Sequence, residues 1–244
     1  YIKYCDGGSM TGTRTDADPP RNGSKPLWYA GKFNLDAVLT ELKVTHGLSE
    51  FKEIVLSGCS AGGAGTQINY YFLRELTNAA RGFALNDSGP IFPNSVHSSP
   101  LHQKIRSSWN VDPVIDEIPE AATVKDDFGN ITNVISDMWP ADRIAITYFM
   151  RDYNYSRYSY ENFFDGLTKD AIHQLWYEDT ELLVDQYEAR ENLSYFIPYE
   201  RLLRISDCSA IEPPRAYYHY LPWIVTSFKN PRAYDSMHAA NPCR

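Results

Sequence analysis

Apolar positions mark out the elements along the chain. Leu35, Val38, Leu39 and Leu42 fall at helical spacing and predict a helix capped by Asn34 and closing near His46-Gly47, where the glycine supplies a left-handed stop. Glu53-Ile-Val-Leu-Ser57 is a compact β-type run that enters Gly58-Cys-Ser-Ala-Gly-Gly63, and Ala64, Ile68, Phe72 and Leu76 then resume a helical period. Strand, sharp turn and helix follow in order. Gly82-Phe-Ala-Leu85 reads as the next strand and delivers Asn86-Asp-Ser-Gly89 at its end, the place where open α/β sheets present site residues. Residues 90–140 are Pro-rich and mixed and yield no element. Arg143-Ile-Ala-Ile-Thr147 is another β-type run, residues 167–189 read as one or two helices around Leu175, Trp176, Leu182 and Leu183, and residues 193–198 are the last strand. At the start, Tyr1-Ile-Lys-Tyr4 is strand-like, and Asp6 to Lys25 is dense in Gly, Pro, Asn, Asp, Ser and Thr, the composition of a long surface loop. Loops of that length are often functional. No repeat, low-complexity tract or linker marks a second domain.

Composition narrows the function classes. With 43% hydrophobic and 22% charged residues in 244, the chain suits one α/β domain with a sizeable core. A net charge of −8 repels phosphate backbones, so nucleic acid is not expected as a partner. No apolar run reaches the roughly 20 residues a membrane-spanning helix needs, so no transmembrane segment is expected. Eighteen Tyr and five Trp can fill a core or line a groove, and composition does not choose between these uses. Cys5, Cys59, Cys208 and Cys243 include no Cys-x-x-Cys pair, so neither zinc nor a redox site is implied. Sequons begin at Asn22, Asn86, Asn130, Asn154 and Asn192, more than composition alone would give, and fit a secreted chain. A monomer is expected.

Gly58-Cys-Ser-Ala-Gly62 carries the chemistry. An acyl-transfer serine must stand proud of the sheet on a tight turn, so glycines two before and two after it are expected where side chains have no room. Ser60 is the candidate nucleophile, between Gly58 and Gly62. The helix beginning just after it aims N–H groups at a developing oxyanion, with Ala61 N–H as the first donor. No Lys follows the glycines as a phosphate-binding loop requires.

Together the elbow, the opening Tyr1-Ile-Lys-Tyr-Cys-Asp-Gly-Gly8 and Asn86-Asp-Ser-Gly89 resemble, in order and spacing, the pectin acetylesterase and Notum family. Trp109-Asn110 and Arg143-Ile-Ala followed by Asp152 are also similar, and the resemblance runs to about residue 160. It implies a three-layer α/β-hydrolase-like fold with a mostly parallel central sheet and a Ser-Asp-His triad with no metal or cofactor. It also implies a secreted carboxylesterase acting on acyl esters, on acetylated pectin in plants and microbes or on a lipidated signalling protein for Notum. Residues 1–244 are expected to form a single hydrolase domain whose N-terminal part lies upstream of Tyr1, with the second oxyanion donor, a Gly-Gly-Gly-Trp segment in the family. The family's catalytic His follows a Cys by three residues, and here Cys208 is followed by Ile211, which can neither accept nor pass on a proton.

For the acid, Asp152 just past the 143–147 strand matches the family's residue, with a solvated or salt-bridged loop carboxylate as the plain alternative. Asp87 is a second choice, explained more simply as a turn residue bonding backbone N–H groups. Among the bases, His46 sits at a helix end, His97 and His102 precede Asp152, and His173 lies in a helical pattern. His219 follows the last strand in the order Ser, Asp, His and is the candidate base, though a place in the cluster of Tyr217, Tyr218 and Tyr220 would also account for it; His238 remains. The leading reading is a serine esterase on acetyl esters of a polysaccharide. The alternative is an inactive relative that binds glycan or protein.

Overall fold

The computed structural model describes residue 2, residues 7–16 and residues 28–199. Apart from Ile2, the expected opening strand lies outside the described residues, as do Ile211, His219 and His238. Four strands form one parallel sheet in the order β1-β2-β3-β4: Glu53–Cys59, Arg81–Asp87, Arg143–Thr147 and Leu193–Phe196. Parallel neighbours require crossovers, and helices fill them. Helix α1 (Gly31–His46) precedes β1, α2 (Ala61–Glu75) joins β1 to β2, and α3 (Ser99–Trp109), α4 (Asp112–Ile115), α5 (Ala121–Asp126) and α6 (Ile131–Met138) lie between β2 and β3. Helices α7 (Tyr153–Tyr160) and α8 (Lys169–Glu188) return the chain to β4. The α/β class and the parallel central sheet are as expected.

Register fixes which strand residues share a face. Leu56, Ala84, Ile144 and Leu193 align across the sheet, as do Gly58, Asn86, Ile146 and Tyr195. This face belongs to the main apolar core and is covered by helices, while Val55, on the opposite face, is 66% exposed. Helix α2 is buried almost all round, because it packs on β1 and β2 and against α6. Its polar residues are therefore paired: Asn86 Nδ2 donates to Gln67 Oε1 at 2.8 Å, and Gln67 Nε2 donates to Thr132 Oγ1. At its far end Arg74 Nε donates to the fully buried Asp142 at 2.7 Å, where Tyr70 Oη and Gly82 N–H converge on the same carboxylate. Most of the largest buried rings are core: Trp176 packs edge-on against Phe92 and Tyr148, at centroid distances of 5.0 and 5.3 Å.

Three expectations about elements change. Helix α1 begins at Gly31 after Ala30, which offers no side-chain cap, so Asn34 lies inside the helix; the far end closes as expected, with Gly47 left-handed at φ 62° and its N–H on Leu42 O. Residues 90–140, assigned no element from the sequence, hold four helices that bury Val114, Ile115, Val124 and Ile131 completely. The final strand ends at Phe196, before Pro198. Among the described residues, no helix is long and apolar enough to cross a membrane and no group of His, Cys, Asp and Glu could hold a metal ion.

Candidate active site

The first three strands end level with one another. Cys59 aligns with Asp87 and Asp87 with Thr147, so the chain turns out of the sheet at the carboxyl edge, where ligands gather in this architecture. Ser60 makes the first of these turns. It sits between β1 and α2 at φ 56°, ψ −120°, a conformation that costs a non-glycine residue about 1–3 kcal/mol. The surroundings hold it there: Ser60 N–H donates to Asp87 O at 2.6 Å, and Ser60 O accepts from Gly63 N at 2.8 Å and Ala64 N at 3.2 Å. With those two donors turned back on the elbow, Ala61 N–H leads the helix, at the end where the dipole favours negative charge.

The glycines around this turn do not all serve the same end. A Cβ on Gly58 would overlap Gly62 O and stand 2.9 Å from Thr66 Oγ1. On Gly62, expected to lack room, a Cβ would meet nothing within 4 Å among the described residues. The crowding falls instead where the elbow meets the β2 turn: a Cβ on Gly63 would overlap Asn86 Oδ1, and one on Gly89 would overlap Ser60 O.

Asn86 closes that β2 turn. Asn86 Oδ1 accepts from Gly89 N–H at 2.9 Å and its Nδ2 donates to Gly89 O at 2.8 Å, whereas Asp87 Oδ1 accepts from Ser88 Oγ at 2.9 Å. Asn86 is thus a buried structural side chain, and so is Asn192, whose amide donates to Ser136 O. Neither of these sequons can carry a glycan in the folded protein. Asn130 is half-buried and Asn154 exposed, while Asn22 lies outside the described residues.

Asp152 is completely buried and caps α7, its Oδ1 accepting from Asn154 N at 2.7 Å and Tyr155 N at 3.1 Å. It is therefore not a solvated loop carboxylate. Asn154 and Tyr155 both line a cavity of about 580 Å³ that also opens onto Ser60 and Ala61. Asp152 thus fixes the start of the helix that forms one cavity wall. Trp109 and Ile105 of α3 and Gly7 and Ser9 of the N-terminal loop line the cavity too, with Arg157, Tyr158, Glu161 and Asn162. Arg157 Nε donates to Glu161 Oε2 at 2.6 Å, and this bond raises the guanidinium pKa further, so its charge is permanent.

None of the four described imidazoles lines the cavity. His46 is exposed at the end of α1, as expected. His97 Nε2 lies 2.8 Å from Glu178 Oε2, His173 stacks edge-on with Tyr153, and His102 is buried against Phe128 with its pKa pushed down to about 4, by burial first and Arg106 second. Sequence reasoning missed the α7 wall and Ser9. Residues 153–160 are rich in Tyr and Ser without an apolar period, and the one available signal was the cap pattern of Asp152 before Asn154 and Tyr155.

Residues 1–189 match the model of the family described as pectinacetylesterase. Pectin acetylesterase 5 of Arabidopsis thaliana is 37% identical over 89 residues, 36% of this chain and 20% of that protein. Pectin acetylesterase 4 of the same plant is 33% identical over 91 residues, 37% of this chain and 21% of its own length. The aligned part thus spans about a fifth of either relative. Among solved structures, the Wnt deacylase Notum from Drosophila overlays with a TM-score of 0.49 at 20% identity, covering 90% of this chain and 67% of that one. With an elbow serine on a parallel sheet and a family match running from Tyr1 to Ala189, the chain belongs to the pectin acetylesterase family.

Proposed function

We propose that the protein is a secreted serine carboxylesterase that removes acetyl groups from a polysaccharide, with Ser60 as nucleophile. The observation that carries the reading is the conformation of Ser60, a positive-φ residue held at a strand-to-helix turn and facing a cavity of about 580 Å³. Ser60 Oγ attacks the acyl carbon while a histidine takes its proton, and Ala61 N–H stabilises the developing oxyanion. The alcohol leaves with that proton. Water then attacks the acyl-enzyme, the histidine again serving as base, and acetic acid and free Ser60 are released. Asp152 is the proposed acid that orients the imidazole, and His219 the proposed base by its order in the chain. The mixed wall of Trp109, Tyr155, Tyr158, Asn154 and Asn162 suits a saccharide better than a long acyl chain. Secretion is supported by Cys59, which is disulfide-bonded, since such bonds persist in oxidising compartments.

A fluorophosphonate probe tests the assignment. Labelling should map to Ser60 and vanish in Ser60→Ala together with hydrolysis of p-nitrophenyl acetate; hydrolysis that survives that substitution would refute it. Ile211, at the position where a His is expected, favours a second reading, an inactive relative that binds glycan. That reading predicts no labelling with retained binding of acetylated oligosaccharide.

A further inference from the structure

The N-terminal loop contributes a side chain to the cavity that the proposed mechanism leaves unused. Ser9 is 1% exposed, and its hydroxyl oxygen is buried with no protein hydrogen-bond partner among the described residues. It lines the same cavity as Ser60 and Ala61. A buried hydroxyl without a partner costs about 1–3 kcal/mol, so a protein rarely keeps one where nothing uses it.

The loop is held in this position by specific contacts. Ser9 and Met10 are both left-handed, at φ 53° and 58°, and Thr11 N–H closes the turn onto Gly8 O at 2.9 Å. Ala61, Gly65 and Asn69 recur every four residues and share one face of α2. A Cβ on Gly65 would clash with Ser9 O at 2.5 Å, and Asn69 Nδ2 donates to Met10 O at 3.3 Å and to Ser9 O at 3.5 Å. The loop therefore lies along the helix face that begins at the proposed oxyanion donor. On its other side Thr13 N–H donates to Trp109 O at 3.0 Å, which ties it to the α3 wall.

We propose that Ser9 is a substrate-binding residue: its hydroxyl hydrogen-bonds an oxygen of the acetylated saccharide held in the Ser60 cavity. The inference rests on the esterase reading for its substrate class. Two oxygens could take the bond, the ester's own or one on the sugar ring, and the pair of substrates below tells them apart.

Full-length wild type and Ser9→Ala are compared for kcat/KM on p-nitrophenyl acetate and on an acetylated oligogalacturonide, with Tm measured on both proteins. Ser9→Ala should lose roughly three- to tenfold in kcat/KM, the worth of one neutral hydrogen bond, with Tm unchanged or raised. Loss on both substrates assigns the bond to the ester, and loss on the saccharide alone assigns it to the sugar. Unchanged kcat/KM on both substrates, or a fall in Tm with activity intact, overturns the proposal. Ser9→Gly, which accepts the positive φ freely, replaces Ser9→Ala if the latter does not fold. If wild type hydrolyses neither substrate, calorimetric binding of the oligogalacturonide provides the comparison: a three- to tenfold weaker Kd in Ser9→Ala supports the proposal, and equal or absent binding overturns it. Labelling of Ser60 by fluorophosphonate reports on the nucleophile independently of Ser9.

Discussion

At the scale of single residues, the elbow is a strained serine held by close backbone packing. Ser60 occupies φ 56°, ψ −120°, and hydrogen bonds to its N–H and its carbonyl hold it there. Gly58 has no room for a side chain and Gly62 has, although both flank the serine symmetrically in sequence. Gly58→Ala forces a methyl group onto Gly62 O and should destabilise by about 1–3 kcal/mol or more. Gly62 is the second residue of α2, has no positive φ and has space for a methyl group, so Gly62→Ala should be neutral or gain up to about 1 kcal/mol. Urea unfolding of both variants checks the pair, and equal losses would show that Gly62 is sterically confined after all.

At the scale of elements, α2 is pinned at both ends. Its first turn is bound into the elbow, and its last carries Arg74 into the carboxylate of Asp142, next to the start of β2. Asp142→Ala leaves a buried guanidinium uncompensated and should cost about 3–5 kcal/mol, read as a lower urea midpoint. Helix α7 depends on its cap in the same way. Asp152→Ala should cost about 1–2 kcal/mol, whereas Asp152→Asn keeps an oxygen for Asn154 and Tyr155 N–H and should hold most of that stability. If Asp152 also serves as the triad acid, Asp152→Asn should still lower kcat by several orders of magnitude. A variant that is stable and fully active would restrict Asp152 to capping.

The same elements show what the sequence made legible. β1, β2, β3 and the end of α1 could be read because apolar runs and a stop glycine act locally. The four helices over residues 99–138 could not. They are short, and Pro100 and Pro113, which look like breakers, sit in first turns where proline leaves no hydrogen bond unmade. Ser60 and Asp152 became candidates through strand ends and motif order. Ser9 and Arg157 reach the cavity only through tertiary packing, which no local pattern encodes.

At the scale of the molecule, the carboxyl edge of the sheet bears the candidate site while the helical layer around α3 bears an acid-sensitive element. His102 of α3 is 8% exposed, lies edge-on to Phe128 at 5.7 Å, and has its pKa lowered from 6.5 to about 4 by burial and by Arg106. The folded protein therefore holds this ring neutral where the unfolded chain would protonate it. Between pH 6.5 and 4 the unfolded state binds more protons, so unfolding becomes easier as pH falls through that window. The full stability is present above 6.5 and the loss levels off near 4, after a decline on the order of 3 kcal/mol. Carboxylates also respond to acid, Asp179 raised by burial toward the same range and Asp112 and Asp137 held below their ordinary pKa by Arg106 and Arg190. The wild-type profile alone therefore mixes several groups, and a matched variant isolates one. His102→Leu removes the titrating ring while keeping an apolar contact with Phe128. Urea unfolding at pH 7 and at pH 4.5 should show a smaller fall for His102→Leu than for the wild type, by about 2 kcal/mol. Equal falls in the two proteins would mean that the ring takes up its proton in the folded state without penalty.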